Sequence, residues 1–176
     1  MRCNYKLPLT IYCFAILLFC GVICLSKSVM YNITNSEQIG WYWVGMHRYG
    51  IENIQVGKLY TIKLPDTFMR VIRQLGYRAN SYTLLKRVVA RSGDIIEVDK
   101  AGVFVNRKLI NNSQSKQMVR GIELHPLPIG YKYILHNGEY FVMGETDSSF
   151  DSRYFGVMNK DNFISEAYLI MKGWQK

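Results

Sequence analysis

Leu84-Leu85-Lys86-Arg87-Val88-Val89-Ala90-Arg91 is an eight-residue run without glycine, proline or any turn-forming side chain. In an extended chain alternate side chains share a face. One face carries Leu84, Lys86, Val88 and Ala90; the other carries Leu85, Arg87, Val89 and Arg91. The two guanidiniums mark the second face as the outer one, so the strand turns Lys86 inward as the sole polar group among apolar neighbours. Lysine is seldom buried, and two readings of this one stand. Either its stem lies on apolar neighbours while the amine reaches the sheet's edge, or burial removes its proton near neutral pH and makes it a base. Bringing a lysine from about 10.4 to about 8 costs roughly 3 kcal/mol, which desolvation can supply. A base needs a nucleophile to serve, and this strand names none.

Outward from that run, period-two patterning predicts further strands at 41–44, 59–64, 95–98, 103–105, 131–135, 140–143 and 167–171. Ser92-Gly93-Asp94 and Lys100-Ala101-Gly102 are turn signals, and Asn137-Gly138 between two apolar strands predicts a hairpin. One helix is expected from Asp66 as cap to Gly76 as stop, with Phe68, Ile72 and Leu75 on its inner face. The polar segment 111–121 reads as a loop on one edge. The pattern specifies a mainly β, antiparallel, partly barrel-like domain with one short helix.

Before that domain, residues 7–25 hold no charge. As a helix this stretch reaches roughly 28 Å, close to a bilayer's hydrocarbon thickness. Arg2 and Lys6 precede it and only Lys27 follows closely, which places the N-terminus in the cytoplasm and the remainder across a plasma membrane. A cleavable signal peptide has a shorter apolar region, so the expectation is a retained single-pass anchor. Residues 1–27 then form a cytoplasmic stub and transmembrane helix, and 28–176 the exported domain. Cys3, Cys13, Cys20 and Cys24 all fall in the first part, leaving no disulfide framework or thiolate metal site in the second. His47, His125 and His136 lack ligand spacing. The 22 Lys and Arg, for a net charge of +9, are spread along the chain. That suits a domain beside anionic lipid, with no nucleic acid among its partners.

Just past the apolar stretch, Asn32-Ile33-Thr34-Asn35-Ser36-Glu37-Gln38-Ile39-Gly40-Trp41-Tyr42 gathers hydroxyls around a glycine. By itself it reads as a solvated juxtamembrane linker. It resembles, however, the N-x-T-x-S-x-P-x-G-x-Y signature of TraF-type conjugative transfer signal peptidases, relatives of bacterial type I signal peptidases. Leu84-Leu85-Lys86-Arg87-Val88-Val89-Ala90 with Gly93-Asp94 is similar to that family's lysine box, and Ser149-Phe150-Asp151-Ser152-Arg153-Tyr154-Phe155-Gly156 to its third box.

The resemblance implies that Ser36 attacks the scissile carbonyl and Lys86 is its general base. It implies an oxyanion hole from the Ser36 N–H and the Thr34 hydroxyl, and a Ser149 that orients the lysine amine. Asp151 and Arg153 are expected to pair on an extended chain, either ordering the loop behind the site or acting in it directly. No cofactor or metal is implied. The implied partners are the lipid bilayer and a membrane-bound precursor or pilin, whose acyl-enzyme is resolved by water or by the precursor's own N-terminus. Gln38 stands where the family has proline, Glu37 where it has an apolar residue, and Gly144-Glu145-Thr146 follows the general enzymes' third box only loosely. A general signal peptidase and a catalytically silent anchored scaffold are the alternatives.

Overall fold

A computed structural model describes residues 9–45, 51, 53–76 and 83–174, and of 9 and 22–27 the main chain alone. Arg2, Lys6, Cys3 and His47 lie outside the described residues. The helix α1 (Leu9–Lys27) leads into thirteen strands. These are β1 (Val29–Asn32), β2 (Gly40–Val44), β3 (Leu59–Lys63), β4 (Thr83–Arg91), β5 (Ile95–Asp99), β6 (Gly102–Val105) and β7 (Lys108–Leu109). Then follow β8 (Met118–Val119), β9 (Ile122–Glu123), β10 (Lys132–Ile134), β11 (Glu139–Met143), β12 (Met158–Asn159) and β13 (Phe163–Lys172). Helices α2 (Met69–Gln74) and α3 (Ser152–Phe155) are short.

All pairings are antiparallel. The main sheet runs β1-β2-β13-β3-β4-β11-β12, and a smaller one β10-β5-β6-β7. Register shifts interrupt β13 against both its neighbours and β11 against β4. Such bulges bend a strand and raise its twist, and the sheet curls accordingly. The Glu145 N–H, just past β11, reaches the Ser36 carbonyl between β1 and β2 at 2.7 Å, although β2 and β11 stand four strands apart. Among the described residues no strand pairing closes the ring, so the expected partly barrel-like domain is instead a curled open sheet with a second sheet beside it.

The Asn137-Gly138 turn forms, with Gly138 at φ +78° and the Glu139 N–H on the His136 carbonyl. It does not make a hairpin. β10 pairs with β5 and β11 with β4, so the turn carries the chain from the small sheet to the large one. The turn at Ser92-Gly93-Asp94 makes the opposite crossing, and the two are tied by the Gly93 N–H on the Leu135 carbonyl and the Leu135 N–H on the Asp94 carbonyl. Between the sheets Ala90, Ile96, Val103, Leu135 and Phe141 are fully or almost fully buried. Burial of one such side chain is worth roughly 2 kcal/mol, and this shared interior outweighs the local preference of an Asn-Gly pair for joining its own flanks.

The predicted helix starts as a 3-10 turn, with Asp66 inside that turn and no side-chain cap. Ile72 and Leu75 are buried with Leu64, Phe150 and Tyr154, and Gly76 at φ +83° ends it. The 111–121 segment is stitched into the fold and does not lie free on an edge. Ser113 is 1% exposed and accepts the Val103 N–H, while β8 pairs with β9. The side chains of α1 are exposed from Thr10 to Gly21. Among the described residues no helix is long and apolar enough to cross a membrane.

Candidate active site

β4 is a central strand, paired along one side with β3 and along the other, from Arg87 onward, with β11. Its alternation appears as burial: Lys86, Val88 and Ala90 are buried, whereas Arg87 and Val89 are half-buried and Arg91 exposed. Leu85 is buried too, against Tyr42, Leu59 and Ala167 on the sheet's other side. Lys86 is 2% exposed and its Nζ donates to Ser149 Oγ at 2.9 Å. Burial lowers its pKa to about 8, opposed by the negative charges of Asp151 and Glu37 and assisted by Arg153. The base reading of Lys86 thus has its physical condition, an amine whose charged form is disfavoured.

Ser36 sits in the turn between β1 and β2, whose register pairs Asn32 with Gly40. Asn32 organises this turn. Its Nδ2 donates to the carbonyls of Thr34, Glu37 and Gln38, and its Oδ1 accepts from the Thr34 N–H and hydroxyl. Tyr42 donates its hydroxyl to the Gln38 carbonyl at 2.6 Å, which holds the place where the family's proline would stiffen the chain. Gly40 is needed for close approach, because a Cβ there would meet the Met171 carbonyl.

Thr34 Oγ1 lies 2.9 Å from Ser36 Oγ. Since the Thr34 hydroxyl donates to Asn32, the Ser36 hydroxyl is the donor between them. Among the described residues no acceptor takes the Ser36 N–H, and no hydrogen bond joins Ser36 Oγ to Lys86 Nζ. Both residues line one groove of about 520 Å³, together with Ile33, Leu84, Phe150 and Arg120. A cleft of about 620 Å³ near His125 and Pro128 shares no residue with it. Gly144 makes the junction behind the serine, since a Cβ there would meet Ser149 Oγ and come within 2.6 Å of the Ser36 carbonyl.

Asp151 and Arg153 pair, though not along an extended chain. Asp151 caps α3, accepting the Arg153 N–H, and both side chains are fully buried. The remaining Asp151 oxygen capacity holds the Gly144 N–H, and Arg153 donates to the carbonyls of Asn112, Gln114, Thr146, Asp147 and Ser149. These contacts clamp the segment that carries Ser149; none reaches Ser36. Asn32 was unassigned by sequence, although an Asn opening a hydroxyl-rich turn is a signal for such bonding.

Ser36 and the buried Lys86, its charged form disfavoured, thus line one groove. The chain belongs to the peptidase S26 family: the model described as "Signal peptidase, peptidase S26" matches residues 3–174. It is 29% identical over 161 residues to the plasmid transfer protein TraF of Escherichia coli, covering 86% of each chain. It is also similar to a signal peptidase I from Enterococcus faecalis, at 17% identity and a TM-score of 0.39, over 66% of this chain and 97% of that one.

Proposed function

We propose that this chain is a membrane-anchored endopeptidase with a Ser36–Lys86 dyad, and that it processes a pilin-type or secreted precursor in conjugative transfer. The observation that carries the reading is Lys86, whose amine is buried and held by Ser149 and which lines the same groove as Ser36. Ser36 Oγ turns from Thr34 to the scissile carbonyl and gives its proton to Lys86. The oxyanion is met by the Ser36 N–H and by the Thr34 hydroxyl once its proton swings away from Asn32 Oδ1, each such donor being worth about 3 kcal/mol in the transition state. Lys86 then protonates the leaving amine. Water, or the precursor's own N-terminal amine, resolves the acyl-enzyme.

The groove favours an extended apolar segment. Thr83, Leu84 and Leu85 pair with β3 on one side, while β11 stops at Arg87, so their other edge is open to an added strand. The transfer role rests on the likeness to TraF and on the three sequence boxes.

The anchor rests on the uncharged run of α1 and its outward Phe14, Leu17 and Phe19. Exposed Trp41, Trp43, Tyr168 and Ile170 on β2 and β13 extend an apolar surface near its end. The N-terminus then lies in the cytoplasm and the catalytic domain on the outer face. Mass spectrometry of a pilin precursor incubated with the wild type tests the reading. A cut linear product, or a cyclic one lighter than it by one water, is expected, and uncut precursor speaks against it.

A further inference from the structure

Glu37 follows the nucleophile directly, yet only 2% of it is exposed. The reaction gives it no task. Its Oε2 accepts from Arg87 Nη2 at 3.1 Å, while Oε1 is buried with no hydrogen-bond partner among the described residues. The same Arg87 nitrogen donates to Glu145 Oε1 at 3.0 Å, and Arg87 Nη1 to the Gly57 carbonyl. Arg87 neighbours Lys86 on β4, and the Glu145 N–H holds the Ser36 carbonyl. Glu37, Arg87 and Glu145 therefore close a ring that runs through the main chain of Ser36 and is held to β4 by the residue that follows Lys86.

A buried carboxylate with one bare oxygen is expensive to keep, and the fold places this one a single residue from Ser36. We propose that Glu37 is a positioning residue that, through Arg87 and Glu145, fixes the nucleophile's turn against the strand of the general base, and that its carboxylate adds to the charge that keeps the proton on Lys86. This rests on the Ser36–Lys86 reading of the site.

The groups concerned are few. Around Glu37 stand Arg87 and Lys86 of β4, Glu145 beyond β11 and Tyr42 of β2. Around Lys86 stand Asp151, Glu37 and Arg153. Burial raises Glu37 to about 7 against the opposing pull of Arg87, so its charge appears close to the pH at which Lys86 begins to lose its own. The charged carboxylate attracts the lysine proton; the neutral acid releases it.

Glu37→Gln keeps the shape and an oxygen for Arg87 but removes the charge. Glu37→Asp keeps the charge. In the full chain in detergent micelles, the 13Cε resonance of Lys86, assigned by its absence in Lys86→Met, is followed against pH. The Lys86 midpoint should fall by about half a unit or more in Glu37→Gln and return toward the wild-type value in Glu37→Asp. The acid limb of precursor cleavage should move with it. A midpoint unmoved in Glu37→Gln overturns the proposal, as does an equal fall in both variants, which would mark a packing effect. The resonance is read without turnover. A moved midpoint in a protein that cuts no precursor would defeat the peptidase reading alone, and an unmoved one in a protein that cuts would defeat the Glu37 proposal alone.

Discussion

Asp151 and Arg153 meet through two parallel hydrogen bonds, Nε to Oδ1 at 2.8 Å and Nη2 to Oδ2 at 2.7 Å, wholly out of solvent. Removing one partner of a buried pair strands the other's charge, at a typical cost of about 3–5 kcal/mol. Asp151→Ala should lose that much in denaturant unfolding. Lost turnover with unchanged stability would instead place Asp151 in the chemistry.

Lys86 predicts a pH-dependent stability. Its folded-state pKa, about 8, lies below the unfolded value near 10.5, so between these the unfolded chain holds the extra proton. Stability then rises with pH across that window, and the penalty is fully present below it. Lys86→Met should be more stable than the wild type by about 2–3 kcal/mol at pH 7, with the difference shrinking toward pH 11. Thermal melts at the two pH values measure this.

Ser149 supplies the hydroxyl that accepts from Lys86 Nζ. Ser149→Ala leaves the amine without that guide, and a misdirected base slows proton transfer more than it weakens binding. The expected result is a fall in kcat of roughly 10–100-fold, about 1.4–3 kcal/mol, with KM little changed.

Gly144 has no room for a methyl between Ser149 and the Ser36 carbonyl. Gly144→Ala should displace one or the other and cost about 1–3 kcal/mol in stability, together with most activity. Wild-type cleavage by Gly144→Ala would show that the junction is softer than it looks.

Much of the fold was legible because strands announce themselves by alternation. Lys86 is the clearest case: two arginines on the opposite face were enough to turn it inward. Asn137-Gly138 misled because the signal describes a turn and says nothing of which strands will pair beyond it. The curl of the sheet depends on bulges such as that between Phe141 and Val142, which leave no mark in a period-two pattern. Ser36 has no physical signature of its own, and its proposed role comes from the boxes around it. Glu37 stood out only as a departure from the family's apolar residue; its buried pairing is with Arg87, fifty positions away, and pairings at that range are invisible along the chain.

The dyad itself is tested most directly by quenching the enzyme during turnover of its precursor and mapping the modified protein by mass spectrometry. An acyl group on Ser36 of the wild type, absent from Ser36→Ala and from Lys86→Met, is the predicted result. An acyl group on another residue, or precursor cleavage by Ser36→Ala at the wild-type rate, would contradict it.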